Sequence, residues 1–218
     1  MTAINLELFP LHSSLDREAI GDTACVLRSF ARPYVAEAIA EIDTLTQRAA
    51  FRYMLTPGGY TMSVAMTNCG RLGWTTDRAG YRYTEDDPET GLAWPPMPDV
   101  LRRLAKDAAA AAGFPEFSPD ACLINRYLPG ARLSLHQDRN ERDFTAPIVS
   151  VSLGLPAVFL FGGHTRTDKT VRIPLLHGDV TVWGGPDRLR HHGILPLKDG
   201  EHSLLGAQRI NLTFRKAA

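Results

Sequence analysis

Short apolar segments separated by turn residues fill the second half of the chain, and this pattern limits the fold more than any other sequence feature. The segments are 121–127, 133–136, 148–153, 158–161, 171–175, 180–183, 189–194 and 209–214. About eight strands of this length are typical of a sandwich or barrel such as a jelly roll. Helical patterns precede them, so the sequence predicts an α+β fold in which helices buttress a β-core.

The first half of the chain mixes helical periods with turn-rich sequence. Apolar residues follow the 3.6-residue helical period after Pro33, and residues 98–112 are alanine-rich and end at Gly113. We expect two helices there, short extended segments at 24–30 and 61–67, and an irregular N-terminal extension over 1–23. Residues 68–97 contain two Trp and two Tyr among several Gly and Pro, and are predicted to be irregular.

Composition limits the classes of function. The 218 residues are enough for one sizeable domain, and a formal net charge of zero means that no overall field attracts nucleic acid. Cys25, Cys69 and Cys122 lack metal-binding spacing, so we expect reduced thiols in a cytoplasmic protein. We expect neither a signal peptide nor a membrane span, because no suitable apolar run is present.

Two His-x-Asp pairs are candidate metal ligands. A His and an Asp two residues apart on extended backbone point the same way. With a distant His they would form the open facial triad of non-haem Fe(II) oxygenases. Residues 136–138 end a predicted strand, whereas residues 177–179 lie at a glycine turn where Asp bonds to backbone. The pattern favours the first pair only modestly, and either His191 or His192 could be the distant ligand.

Residues 209–215 alternate Arg, Asn, Thr and Arg on one face with Ile, Leu and Phe on the other. An ordinary half-solvated strand would show the same alternation. A strand facing a barrel interior would instead place Arg209 and Arg215 where they need anions, and a dicarboxylic acid such as 2-oxoglutarate would supply two. Asn125 and Tyr127 alternate on another strand and could complete the binding of a carboxylate, although a core Tyr is common.

Aromatic residues in the turn-rich segment suggest a second function for the same region. Trp74, Tyr81 and Tyr83 are accompanied by Thr, Gly, Arg and Asp, which is unlike core composition. A flipped nucleobase needs such aromatic faces, although core packing is their usual role. Three arginines could contact phosphates or could simply be solvated: Arg139, Arg142 and Arg166.

Longer stretches of the sequence resemble the bacterial AlkB alkylation-repair dioxygenases. The matching stretches are 56–70, 72–76, 119–127, 133–138, 146–156, 177–180, 192–193 and 211–215. The resemblance runs from about residue 24 to the C-terminus and is far more specific than a His-x-Asp pair. It implies one dioxygenase domain over 24–218, with a double-stranded β-helix (jelly-roll) core at about 118–218 and a nucleotide-recognition lid at about 50–97.

The resemblance also implies a role for each candidate residue. The implied Fe(II) ligands and catalytic residues are His136, Asp138 and His192. The implied 2-oxoglutarate residues are Asn125, Tyr127, Arg209, Asn211 and Arg215. The implied substrate residues are Thr56, Tyr60, Trp74, Tyr81, Asn140 and Arg166. Asn140 departs from the family pattern, which has an Asp that contacts the exocyclic amine of the base, and its carbonyl accepts the same bond without the charge.

The implied reaction is oxidative demethylation of 1-methyladenine and 3-methylcytosine in single-stranded or duplex DNA, and in RNA. Fe(II) is the metal, 2-oxoglutarate and O2 are co-substrates, and the products are formaldehyde, succinate and CO2. We expect a monomer that has no membrane partner. The alternatives are a 2-oxoglutarate dioxygenase that acts on a small metabolite, which would not need the aromatic segment, and a non-catalytic cupin-like binding module.

Overall fold

Two antiparallel sheets pack against each other, and most of their strands come from the second half of the chain. The structure is a computed structural model that describes residues 16–218. Its helices are α1 (Val35–Arg48) and α2 (Asp99–Ala111). Its strands are β1 (Arg17–Ala19), β2 (Cys25–Leu27), β3 (Arg52–Leu55), β4 (Thr61–Gly70), β5 (Gly73–Asp77), β6 (Gly80–Thr84), β7 (Ala121–Tyr127), β8 (Leu133–His136), β9 (Ile148–Gly154), β10 (Ala157–Phe161), β11 (Val171–Leu175), β12 (Val180–Trp183), β13 (His192–Ile194) and β14 (Arg209–Arg215).

The larger sheet has eight strands in the order β1-β2-β12-β9-β14-β7-β4-β3, and the smaller has the order β11-β10-β13-β8. Phe159 and Phe161 of the smaller sheet pack with Trp183 of the larger one, with ring centroids 5.8 Å and 6.4 Å from that indole. The two sheets therefore enclose one apolar core between them. This arrangement confirms the predicted jelly roll.

Both helices cover the outer face of the larger sheet. The buried side chains of α1 recur at helical spacing, and α2 buries Leu101 and Leu104 completely. They pack against the apolar face of β14, where Leu212 and Phe214 are also fully buried. The two predicted helices are confirmed, and β14 is covered on both faces.

The prediction of irregular structure over residues 68–97 is wrong for much of the segment. Strand β4 continues to Gly70, and β5 and β6 form a two-stranded hairpin. Gly80 adopts a φ of 123° at the turn, a conformation that favours glycine. Arg82 and Asp77 then close the hairpin with a salt bridge of 2.6 Å. The Thr and aromatic residues, which favour strands, on both sides of this turn were the signal for a hairpin.

Two other boundaries differ from the sequence prediction. The strand expected at 189–194 begins only at His192, because Gly185–Asp187 forms a 3-10 turn before it. Residues 1–15 of the predicted N-terminal extension lie outside the described residues, but Arg17–Ala19 pairs with β2 and is not irregular. The three cysteines are buried free thiols, as predicted. Neither α-helix within residues 16–218 is long and apolar enough to cross a membrane.

Replacing Leu212 with Ala tests the packing of the helices on β14. The side chain is fully buried between the sheet and the helices, so we expect the free energy of unfolding to fall by about 2–5 kcal/mol. The matched control is Leu204→Ala, since Leu204 is 62% exposed. Urea unfolding measures both variants, and equal midpoints would contradict this packing.

Candidate active site

Strand β14 lies inside the larger sheet between β9 and β7, and all seven of its residues are buried. Its apolar residues face the helices. Its polar residues line a cavity of about 880 Å³ between the two sheets, at Arg209, Asn211, Thr213 and Arg215. The half-solvated alternative is therefore wrong, and the strand presents two guanidinium groups to a protein interior.

Two histidines and one aspartate meet at one end of this cavity. His136 ends β8 and pairs in register with His192, which begins β13, while Asp138 lies in the loop just after β8. Their ligating atoms lie within 4.8 Å of one another. Nε2 of each histidine is 3.7 Å from a carboxylate oxygen of Asp138. This donor set is that of the 2-His-1-carboxylate facial triad.

Backbone carbonyls fix the orientation of both imidazoles. Nδ1 of His136 is 2.8 Å from the carbonyl oxygen of Ser134, and Nδ1 of His192 is 3.0 Å from that of Arg190. Donation from Nδ1 in each ring leaves the Nε2 lone pair available for a metal. The cluster therefore fits a divalent transition metal both in its donor types and in their orientation.

The surrounding charges favour the metal-binding protonation states. Burial, followed by the neighbouring His192, lowers the pKa of His136 to about 4, so its imidazole is neutral at pH 7. Burial alone would raise the pKa of Asp138, but Arg215 and the two histidines outweigh it and hold that pKa well below its usual range. Neutral imidazole and ionised carboxylate are the forms that bind a metal.

The other candidate metal ligands have structural contacts. Nδ1 of His177 accepts a hydrogen bond from the amide of Gly154 at 3.0 Å. Asp179 forms a 2.7 Å salt bridge with Arg28 and accepts hydrogen bonds from two backbone amides, as expected of a turn residue. His191 lines the cavity but is not part of the cluster of ligating atoms. The structure thus places the first His-x-Asp pair and His192, but neither the second pair nor His191, in the cluster of ligating atoms.

Four of the five predicted co-substrate residues form two cross-strand pairs on the inner face of the larger sheet, Tyr127 with Arg209 and Asn125 with Asn211. The Arg209 guanidinium is buried 5.0 Å from the Tyr127 ring centroid. Its Nη2 donates to Oγ of Ser152, but its Nε and Nη1 have no partner among the described residues. A buried guanidinium without an anion is costly, so Arg209 fits a carboxylate of a bound co-substrate.

Arg215 differs from Arg209 in having a carboxylate partner within the described part of the protein. Its Nε and Nη2 donate to one carboxylate oxygen of Asp138 at 3.0 Å and 2.7 Å. The protein thus supplies a counter-ion for Arg215, although the sequence pattern suggested that both arginines need an external dicarboxylate. Of the two, only Arg209 offers uncompensated positive charge to a ligand.

A buried network behind Asp138 was missed in the sequence. Arg188 donates to the carbonyl oxygen of Asp138 at 2.8 Å and to Glu141 at 3.1 Å. Glu141 also accepts a 2.5 Å hydrogen bond from the hydroxyl of Tyr83. Glu141 and Arg188 are isolated charges in polar loops, and no periodicity marks them as buried. Of the residues in this network behind Asp138, the sequence pattern singled out only Tyr83, as one of the aromatic residues of the turn-rich segment.

The predicted substrate residues line the same cavity at its open side. Trp74 and Tyr81 of the hairpin stack with their ring centroids 5.6 Å apart. The indole Nε1 of Trp74 lies 3.4 Å from Oδ1 of Asn140. Tyr60 is 76% exposed. The cavity brings together all residues predicted for the three roles: Thr56, Tyr60, Trp74, Tyr81, Asn125, Tyr127, His136, Asp138, Asn140, Arg166, His192, Arg209, Asn211 and Arg215.

The three arginines predicted to contact phosphates are exposed. Arg139 and Arg166 line the cavity, whereas Arg142 does not. Positive charge is therefore concentrated at the mouth of a site whose protein has no net charge. Such a local patch is what a chain without an overall positive field needs to attract an anionic partner.

The fold and site together define a class of enzyme. A jelly roll holds two histidines and a carboxylate in the same cavity as a buried guanidinium that has no counter-ion among residues 16–218. Open coordination positions and a carboxylate-binding arginine are the features of a 2-oxoglutarate-dependent Fe(II) oxygenase. A cavity of about 880 Å³ is at the large end of the range for small-molecule sites.

Known proteins with similar sequence and structure agree with this class. The sequence pattern that defines the 2OG-Fe(II) oxygenase superfamily matches residues 23–215. The chain is 58% identical over 201 residues to the alpha-ketoglutarate-dependent dioxygenase AlkB of Escherichia coli K12, covering 92% of this chain and 93% of that protein. Nucleic acid dioxygenase ALKBH1 of Homo sapiens is 34% identical over 135 residues, which cover 60% of this chain and 34% of that protein. The solved structure of OsALKBH1 has a TM-score of 0.80 at 28% identity, covering 92% of this chain and 99% of that chain.

The chain therefore belongs to the bacterial AlkB family of alpha-ketoglutarate-dependent dioxygenases, within the 2OG-Fe(II) oxygenase superfamily. As a member it is an oxidoreductase that uses Fe(II), 2-oxoglutarate and O2. The non-catalytic binding module considered from the sequence is thereby excluded.

Replacing Asp138 with Ala tests the metal cluster. This change removes the only carboxylate of the three-residue cluster, so we expect Fe(II) binding to be lost under anaerobic conditions. Isothermal titration calorimetry measures the affinity. The control is Asp143→Ala, which removes a carboxylate from the same loop but outside the cluster. Undiminished Fe(II) affinity in the Asp138 variant would refute the assignment.

Proposed function

We propose that this enzyme repairs alkylated DNA, and also acts on RNA, by oxidative demethylation of 1-methyladenine and 3-methylcytosine. The observation that carries the proposal is the stacked pair Trp74 and Tyr81, which lines the same cavity as the metal cluster. Such aromatic faces stack on a base that has left its duplex. The names of the E. coli and human relatives, a dioxygenase and a nucleic acid dioxygenase, support it.

In this proposal His136, Asp138 and His192 hold Fe(II), and Arg209 binds the far carboxylate of 2-oxoglutarate. When bound, the metal and co-substrate supply the oxidising chemistry with O2, and 2-oxoglutarate leaves as succinate and CO2. The protein's residues orient these groups. Nδ1 donation to backbone fixes both imidazoles, and Arg215 fixes the carboxylate of Asp138.

The remaining co-substrate residues complete the binding site for 2-oxoglutarate. The Tyr127 hydroxyl and the Asn125 amide complete the contacts of its carboxylates. Asn211 is held by Nδ2 bonds to Oγ of Ser150 at 2.8 Å and to a backbone carbonyl at 2.9 Å. An Asn fixed in this way keeps a constant polar surface beside the co-substrate, which lowers the cost of ordering the site on binding.

The methylated base enters between Trp74 and the partly exposed edge of His136, whose side chain is 34% exposed. A lesion that blocks Watson–Crick pairing is already weakly paired, so less energy is needed to extrude it. A cationic methylated base also gains from aromatic faces. Hydroxylation of the N-methyl group gives a hemiaminal, which breaks down to formaldehyde and the repaired base.

Residues 50–97 form the nucleotide-recognition lid in this proposal, and 24–218 form one domain. Thr56 and Tyr60 line the open side of the cavity together with the hairpin. Arg166 and Arg139 contact the phosphates on either side of the extruded base. The enzyme acts as a monomer in the cytoplasm, where its buried cysteines remain free thiols.

Formaldehyde release from a single-stranded oligonucleotide that contains one 3-methylcytosine tests the proposed function. With Fe(II), 2-oxoglutarate and O2 we expect equal amounts of formaldehyde and succinate, and no formaldehyde from the unmodified oligonucleotide. The Asp138→Ala variant is the matched inactive control. If iron-loaded enzyme releases no formaldehyde yet forms succinate with small metabolites, the repair proposal is wrong and a metabolite dioxygenase replaces it.

Crossed substitutions test the division between co-substrate and base residues. Arg209→Ala removes a charged hydrogen-bond donor, so we expect the KM for 2-oxoglutarate to rise about tenfold or more, with little loss of oligonucleotide affinity. Trp74→Ala should do the reverse, costing about 1–3 kcal/mol of oligonucleotide binding for the lost stack. Steady-state kinetics and fluorescence anisotropy measure the two effects. Equal effects of both variants on both ligands would contradict the division.

A further inference from the structure

A buried carboxylate, Glu141, connects the hairpin β5–β6 to the metal cluster. Its side chain is 1% exposed. The hydroxyl of Tyr83, on β6, donates to its Oε1 at 2.5 Å. Arg188 donates to its Oε2 at 3.1 Å, and Nε of Arg215 lies 3.6 Å from its Oε1. One side chain thus contacts the hairpin and two buried guanidiniums.

The same two arginines hold Asp138 by different atoms. Arg215 donates two hydrogen bonds to a carboxylate oxygen of Asp138. Arg188 donates to its backbone carbonyl at 2.8 Å. Both the side chain and the backbone of this predicted metal ligand are therefore fixed by groups that Glu141 itself binds.

The four charged side chains of this network stabilise one another only while they keep these contacts. Two guanidiniums and two carboxylates are buried together, and their side chains are at most 10% exposed. Buried ions are stable only when their hydrogen-bonding positions are filled, so loss of one contact strains the others. Among the described residues, Oε1 of Glu141 accepts one hydrogen bond of normal length, and the Tyr83 hydroxyl is its donor.

Tyr83 also belongs to the element that carries the aromatic pair. It lies directly across the hairpin from Trp74 in the strand register, and Tyr81 is two residues before it. Movement of the hairpin away from the core would break the bond from Tyr83 to Glu141. The position of the stacking surface and the orientation of Asp138 therefore depend on the same buried carboxylate.

We propose that Glu141 is a positioning residue through which the seated hairpin and the metal-binding geometry of Asp138 stabilise each other. Metal binding then favours the hairpin position that stacks on a base, and base binding tightens the metal by the same factor. This inference rests on the proposed function, because it takes the hairpin as the base-binding element.

Tyr83→Phe tests the connection by removing a single hydroxyl while keeping the ring. The affinity of wild type for Mn(II) is measured by calorimetry with and without a single-stranded oligonucleotide that contains 3-methylcytosine. The oligonucleotide affinity is measured with and without Mn(II). We expect each ligand to tighten the other about fivefold or more in wild type, and the factor to fall close to one in Tyr83→Phe.

The matched control is Tyr53→Phe, which removes a hydroxyl from an exposed tyrosine of β3, 48% accessible and outside the cavity. We expect this control to keep the full factor by which the metal and the oligonucleotide tighten each other. Glu141→Gln, which removes the charge but keeps the shape, should lose this linkage as Tyr83→Phe does.

Hydrogen exchange supplies a readout without any nucleic acid. Mn(II) should slow exchange of the amides in residues 73–84 in wild type and Tyr53→Phe, but not in Tyr83→Phe.

The outcomes separate this inference from the proposed function. If wild type prefers the methylated oligonucleotide but shows no linkage, or if Tyr83→Phe keeps the full linkage, the role of Glu141 is refuted and the repair function stands. If wild type binds methylated and unmodified oligonucleotides equally and releases no formaldehyde, the proposed function fails and this inference fails with it.

Discussion

The salt bridge between Arg215 and Asp138 is the contact on which the site depends. It joins the last strand of the larger sheet to the loop after β8, across 77 residues of sequence, with both side chains at most 10% exposed. Neither charge would be stable at this depth without the other. The pair therefore requires the two sheets to close in one relative position, and that position brings Asp138 between His136 and His192. The contact that closes the jelly roll is thus also the contact that holds Asp138 in the metal cluster.

This pairing also decides where a ligand's charge is needed. The cavity contains two buried guanidiniums, but Arg215 is neutralised by protein carboxylates, whereas Arg209 is not neutralised by any carboxylate of the described part of the chain. The uncompensated group is anchored by Ser152 and packed against Tyr127. A co-substrate with a carboxylate at its far end would act as a counter-ion for Arg209, which offsets the cost of burying this guanidinium. Neutral compounds of the same size would leave Arg209 unpaired, which makes the site selective for acids.

Much of this arrangement could be predicted from local patterns. Alternation in residues 209–215 gave the correct polar face, because a strand's period of two survives in any sheet. Local pattern could not choose between His191 and His192, since the choice depends on how β13 pairs with β8. It also missed the β5–β6 hairpin, which was hidden by its many turn residues. Glu141 and Arg188 were beyond prediction from residues alone, because an isolated charge in a polar loop is normally solvated and only the tertiary structure buries these two.

The three groups of functional residues lie on three different elements. The histidines belong to the smaller sheet, the co-substrate residues to the larger sheet and the stacked aromatics to the hairpin. The sheets are rigid because both faces of the larger one are packed, whereas a two-stranded hairpin is marginally stable unless it packs on something else. The hairpin is attached to the core by a few specific polar contacts, among them two between the side chain of Asn68 and the backbone of Trp74. The bond from Tyr83 to Glu141 is such a contact, and Glu141 lies 3.6 Å from Arg215, which binds Asp138. The position of the hairpin is therefore connected to that of Asp138 by direct polar contacts through Glu141 and Arg215.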